Sequence, residues 1–108
     1  MSRTTLRFYD RFSPDILSGA KTLTLRDGSA SDIVVGDVLA AVGLPSQRTF
    51  ATLRITEVGA IAFDDLNEGH AQQENMSLTE LRAVIRDIYP GVKALRAITF
   101  SLLASFSE

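Results

Sequence analysis

The apolar residues of this chain keep two different periods, and the switch between them comes late. In SLTELRAVIRDIYPG (77–91), Leu78, Leu81, Val84, Ile85 and Ile88 recur at the three-and-four spacing that lines one face of a helix. Ser77 and Glu80 form the S-x-x-E capping box that starts such a helix, and Pro90-Gly91 stops it. Ahead of it, TTLRFYD (4–10), TLTLR (22–26), VLAAV (38–42) and TFATLRITEV (49–58) alternate or concentrate β-branched and aromatic residues between turn formers, which is the strand pattern. ALRAITFSLL (94–103) returns to that pattern as a closing strand, and ASFSE (104–108) reads as a loose tail. Most of the sheet precedes the main helix, so the fold class is α+β. Short strands joined by turns favour an antiparallel, barrel-like sheet.

The connections carry their own signals. In SPDILSG, Ser13 suits an N-cap, Pro14 the first helical position and Gly19 a left-handed end, giving a short helix that feeds straight into the strand 22–26. DGSASD (27–32) reads as a tight loop and Gly36-Asp37 as a turn. GAIAF (59–63) adds a further apolar piece of sheet. The polar stretch DDLNEGHAQQENM (64–76) can begin a helix at Asp64 or Asp65, weakened by Gly69.

Length and composition bound what the chain can do. Its 108 residues, 45% of them hydrophobic, suit one domain over 1–108 with a core from about residue 6 to 103. A formal net charge of -2 argues against a strong grip on a long polynucleotide, which draws affinity from a surplus of Lys and Arg. There is no cysteine and one histidine, His70, so disulfides, thiol nucleophiles and thiolate metal sites are excluded, and a Ser-His or multi-histidine site nearly so. No spacing points to a metal, and none is expected. No apolar run approaches the ~20 residues needed to cross a bilayer, which implies a cytoplasmic protein with no membrane association.

The stretch GAKTLTLRD (19–27) raises the chemical question. Alternation puts Thr22, Thr24 and Arg26 on one side of a strand and Leu23 and Leu25 on the other. On pattern alone this is a wet strand face, with Lys21 snorkelling at its start. The other reading makes Thr24 a nucleophile and Lys21 its base, with the amine pKa lowered by burial and by the nearby positive charge of Arg26. The two positions differ by an odd number, so that pairing requires Lys21 to lie in a bend before the strand proper. Glu74 could serve as acid or base if partly buried, but by pattern it belongs to a solvated segment. His70 reads as a surface or packing residue, and Arg82 and Arg86 as a small basic spot on the helix's solvent face. Phe8, Tyr9 and Phe12 could stack on a base, although core packing explains them more simply.

RFSPDILSGAKTLTLRD, VGDVL, HAQQENMSLTELRAVIRDIYPG and AITFSLL, in that order and spacing from about Leu6 to Leu103, resemble the YqfB-type ASCH-domain proteins described as N(4)-acetylcytidine amidohydrolases. The resemblance implies a PUA-like (ASCH) β-barrel with flanking helices. It assigns Thr24 as nucleophile, Lys21 as proton acceptor and Glu74 as proton donor. Arg26 is the candidate substrate-binding residue, and either it or nearby backbone N–H groups would stabilise the oxyanion. It also implies a cofactor-free, metal-independent enzyme acting on a nucleoside, expected as a monomer with at most weak RNA contact. Ala20 departs from the family, where a basic residue is common. The alternative is an RNA-binding or RNA-processing ASCH/PUA-like module.

Overall fold

The computed structural model describes residues 4–30 and 32–106, without the side chain of Ser29. Ser31 of the expected loop and the last two residues of the expected tail lie outside them. Among the described residues five strands, Thr5–Tyr9 (β1), Leu23–Arg26 (β2), Val38–Leu44 (β3), Thr49–Ala62 (β4) and Ala94–Ser105 (β5), form one sheet in the order β1-β3-β4-β5-β2. The described residues also form three α-helices: Ser13–Ser18 (α1), Glu68–Gln73 (α2) and Leu78–Ile88 (α3).

Not all pairings are antiparallel. β1 runs parallel to β3, with Thr5 opposite Ala40 and Tyr9 opposite Leu44, whereas the other three pairs are antiparallel. Parallel neighbours need a crossover of a dozen or more residues, and the segment carrying α1 and β2 supplies it. Alternation along a strand marks its faces and is blind to its direction.

The sheet is strongly curled. Laid flat, the edge strands β1 and β2 would stand ~19 Å apart, four strand spacings of ~4.8 Å. Instead Arg26 Nη2 of β2 donates to the Arg7 carbonyl of β1 at 2.6 Å. No arginine spans the flat distance, so the sheet closes towards a half-barrel. Register shifts within the β3–β4 and β4–β5 ladders mark bulges, which add the local twist that curling requires. One apolar core fills the curl, built on Leu6, Phe8, Leu39, Leu53, Ile55 and Ile98. A second, with Leu23, Leu25, Leu66, Leu81, Ile85 and Leu95, lies between the sheet and helices α2 and α3. Leu23 and Leu25 of β2 belong to the second core, while Thr24 between them is paired with Ile98 of the first.

Several boundaries differ from the sequence expectation. Ser13 is the first residue of α1 and not its cap; its Oγ donates back to the Asp10 carbonyl at 2.9 Å. Gly19 ends α1 at φ 84°, as anticipated. TFATLRITEV and GAIAF are one 14-residue strand, since the β4–β5 ladder runs unbroken in pairing through Gly59. β5 extends to Ser105, and Phe106 N–H bonds the Phe50 carbonyl at 2.9 Å, so this part of the expected tail is sheet. α2 starts after Asn67, not at Asp64 or Asp65. Asn67 Oδ1 accepts from the Gly69 and His70 amides, and His70 Nδ1 accepts from the Asn67 amide, giving His70 a capping role. Ser77 Oγ caps α3 through the Glu80 amide at 3.1 Å. Arg82 and Arg86 do not merely face water. One donates to the Leu66 carbonyl at 3.1 Å and the other lies 5.0 Å above the Phe63 ring. Among the described residues no helix is long and apolar enough to cross a membrane.

Candidate active site

Burial singles out three side chains. Among the described residues, Lys21, Thr24 and Glu74 are the polar or charged ones that are buried, at 3%, 4% and 4% exposure. All three line one cavity of about 200 Å³ between the edges β1 and β2, roofed by α3. Burying an ammonium and a carboxylate costs several kcal/mol each unless they meet each other. Here they do: Lys21 Nζ and Glu74 Oε1 form a direct ion pair across 53 residues of chain, without hydrogen-bond angles. Nζ also donates to the Leu23 carbonyl at 2.9 Å and sits 5.2 Å from the centre of the Phe12 ring.

The local backbone explains how these groups arrive. Lys21 precedes β2, in the bend after Gly19, so the odd spacing to Thr24 is no obstacle. Its amide donates to the Asp15 carbonyl at 3.0 Å. Thr22 is fixed from both sides, donating to the Gln73 carbonyl at 2.8 Å and accepting from Phe100 N–H at 2.9 Å. Thr24 lies opposite Leu23 and Leu25 on β2, as alternation predicts. Thr24, on the side expected to be wet, is instead buried, where the curl of the sheet brings β1 up to β2.

Glu74 ends α2 and owes its direction to the turn that follows. Asn75 takes φ 58°, its amide bonds the Gln72 carbonyl at 3.0 Å, and Met76 N–H bonds the Ala71 carbonyl at 2.9 Å. This is a Schellman stop with asparagine in the left-handed position. Asn75 Nδ2 also reaches Asp15 Oδ1 at 3.2 Å, tying the end of α2 to α1, the helix just ahead of Lys21. Asn75→Val is therefore expected to cost about 1–2 kcal/mol of stability through backbone strain. Asn75→Gly should recover most of that loss, leaving only the tie to Asp15 missing. Denaturant melts of the two variants check it.

Electrostatics at Lys21 follow from burial. Desolvation, and next the Arg26 guanidinium, push its pKa down from 10.5 to about 7, while Asp15 opposes them. Arg26 is the fourth sequence candidate, and it contacts the threonine itself: its Nε donates to Thr24 Oγ1 at 2.9 Å. The guanidinium lies 4.9 Å from the Phe8 ring centre and is anchored on Arg7.

All four candidates thus converge on one cavity. The pattern reading that left Glu74 in solvent is overturned by the α2 stop. Pattern reading also undervalued the walls. Phe8 packs edge-on against Phe50 and Phe100, as expected of core, yet it also lines the cavity, as do Tyr9, Phe12, Met76, Ile88 and Tyr89. The aromatics were visible beside a strand end; Ile88 gave only a helical period, and Met76 and Tyr89 gave no signal of their own. His70 lies outside the lining, and no three His, Asp or Glu side chains cluster as a metal would need among the described residues.

No protein-family model matches the chain. It is 46% identical over 100 residues to the N(4)-acetylcytidine amidohydrolase of Shewanella sp. (strain MR-4), covering 93% of this chain and 97% of that protein. It is 47% identical over 100 residues to the protein of the same name from Vibrio atlanticus (strain LGP32), covering 93% and 96%. Among solved structures, the ASCH domain from Lactobacillus crispatus JV V101 superposes with a TM-score of 0.74 at 16% identity, over 92% of this chain and 79% of that one. ASCH from Zymomonas mobilis gives 0.69 at 14% identity, over 95% and 71%. The structural likeness establishes an ASCH fold, and the near full-length identity to curated relatives places this chain in the N(4)-acetylcytidine amidohydrolase family.

Proposed function

We propose that the protein hydrolyses the exocyclic amide of N4-acetylcytidine to cytidine and acetate, with Thr24 as nucleophile, Lys21 as base and Glu74 as acid. The observation that carries this reading is the shared burial of those three side chains around one cavity.

The chemistry balances within the set. Moving one proton from Lys21 to Glu74 turns the ion pair into an amine and a carboxylic acid without exchange with solvent. Burial favours such a neutral pair. The neutral Nζ keeps N–H groups for the Leu23 carbonyl and gains a lone pair that accepts the Thr24 proton. Oγ1 attacks the acetyl carbonyl, and Arg26 holds positive charge against the oxygen as attack proceeds. Collapse breaks the C–N bond while Glu74 delivers its proton to the departing cytosine nitrogen. Water then attacks the threonine ester and gives a proton to the Glu74 carboxylate. Acetic acid leaves as the Lys21 proton returns to Oγ1, and it ionises to acetate in water.

Incubating the purified protein with N4-acetylcytidine and following cytidine release tests the reading. Turnover that is lost in both Lys21→Ala and Thr24→Ala supports it. No turnover by the parent protein, or full turnover by both variants, overturns it.

A further inference from the structure

A cavity of about 200 Å³ is smaller than the ~300–1,000 Å³ of pockets that enclose whole drug-sized ligands. It suits an acylated base better than an entire nucleoside. Past Tyr9 and Leu44, which line both, it opens into a shallower groove of about 430 Å³ whose other walls are Asp10, Arg11, Pro45 and Asp87. Two of the three charged groups there are engaged. Asp10 accepts from the Ser46 amide at 3.0 Å and the Ser46 hydroxyl at 2.6 Å. Arg11 lies over the rings of Tyr9 and Phe12, at 5.4 and 4.8 Å from their centres. Asp87 differs. It is exposed near the end of α3, next to the cavity wall residue Ile88, with no hydrogen bond or ion pair to any described residue.

We propose that this groove holds the ribose of the substrate, with the Asp87 carboxylate accepting hydrogen bonds from the 2′,3′-diol; the inference rests on the amidohydrolase reading above. A carboxylate only accepts and a vicinal diol offers two donors, the pairing by which dinucleotide-binding folds hold ribose. The half-exposed face of Tyr9 lies between base and sugar compartments, where a ring can pack against both. Two carboxylates against one guanidinium make the groove a poor host for phosphate. Free nucleosides are therefore preferred over 5′-nucleotides.

The test compares kcat/KM for N4-acetylcytidine, its 5′-monophosphate and the free base N4-acetylcytosine. In Asp87→Ala the nucleoside-to-base ratio is expected to fall about tenfold, the loss of a hydrogen bond to a charged group. Asp87→Lys should raise the monophosphate-to-nucleoside ratio. Unchanged ratios in both variants overturn the ribose site while leaving the amidohydrolase reading intact. If the parent protein turns over none of the three acetylated compounds, the amidohydrolase reading fails instead. Calorimetric titration then decides the groove: cytidine binding no tighter than cytosine, or equally so in Asp87→Ala, overturns the proposal.

Discussion

Thr24→Val is expected to abolish hydrolysis of N4-acetylcytidine, with kcat falling by about 10⁴-fold or more, while the protein stays folded. Removing a nucleophile that works as a unit with its base leaves only what binding and electrostatics supply, so losses of this size are usual. Valine keeps the shape and the β-branching that suit β2. The missing hydroxyl removes one bond from Arg26 Nε, on a half-buried side chain that retains its bond to the Arg7 carbonyl. A stability change of about 1 kcal/mol follows from that lost bond. Thr24→Ser, which restores an attacking oxygen, should keep measurable turnover. Steady-state kinetics beside thermal melts separate the two effects, and rapid quenching followed by mass measurement looks for acetyl on Thr24. Turnover in Thr24→Val within tenfold of the parent would sink the covalent route.

A second large effect is expected in the pH profile. Only a neutral Lys21 accepts a proton, and burial with Arg26 brings its pKa to about 7. The acid limb of kcat/KM should therefore rise with unit slope through roughly that pH, as the Lys21–Glu74 pair goes from two protons to the one that the mechanism uses, reporting the free enzyme. Lys21→Met should remove the limb together with the activity. Arg26→Gln gives the more diagnostic result. It deletes a positive charge that disfavours the ammonium, so the midpoint moves to higher pH whatever happens to kcat. A midpoint that stays put, or moves down, would mean that another group governs the limb. Stability carries the same sign. Between about pH 7 and 10.5 the unfolded chain binds a proton at this lysine that the folded chain does not, so this residue's contribution to stability rises with pH across that window and is least favourable below it.

Local chemistry was legible wherever neighbours in sequence decide it. The stop of α1 at Gly19, the start of α3 at Ser77 and the division of β2 into a leucine side and a threonine side each depend on a few adjacent residues. Failures had equally specific causes. Ser13 has a cap's chemistry but already has helical φ and ψ, and bonds backwards to Asp10. Asn67, inside a stretch too polar for periodicity to read, took the cap of α2, and a glycine that looked like a break lies within the first turn. β1 pairs with β3 in parallel because of the path between them, which no pattern within either strand records.

By itself, then, the sequence determined the element types, the side of β2 that carries the hydroxyl, and through its motifs the four residues to watch. What only the tertiary structure decided is that the threonine side is buried and that Lys21 meets a carboxylate 53 positions away. Alternation and capping are short-range consequences of backbone geometry, fixed within a turn or a strand. Which face is covered, and which distant charge shares a cavity, follows from the curl that brings two sheet edges within reach of one arginine and from the left-handed Asn75 that turns α2 away.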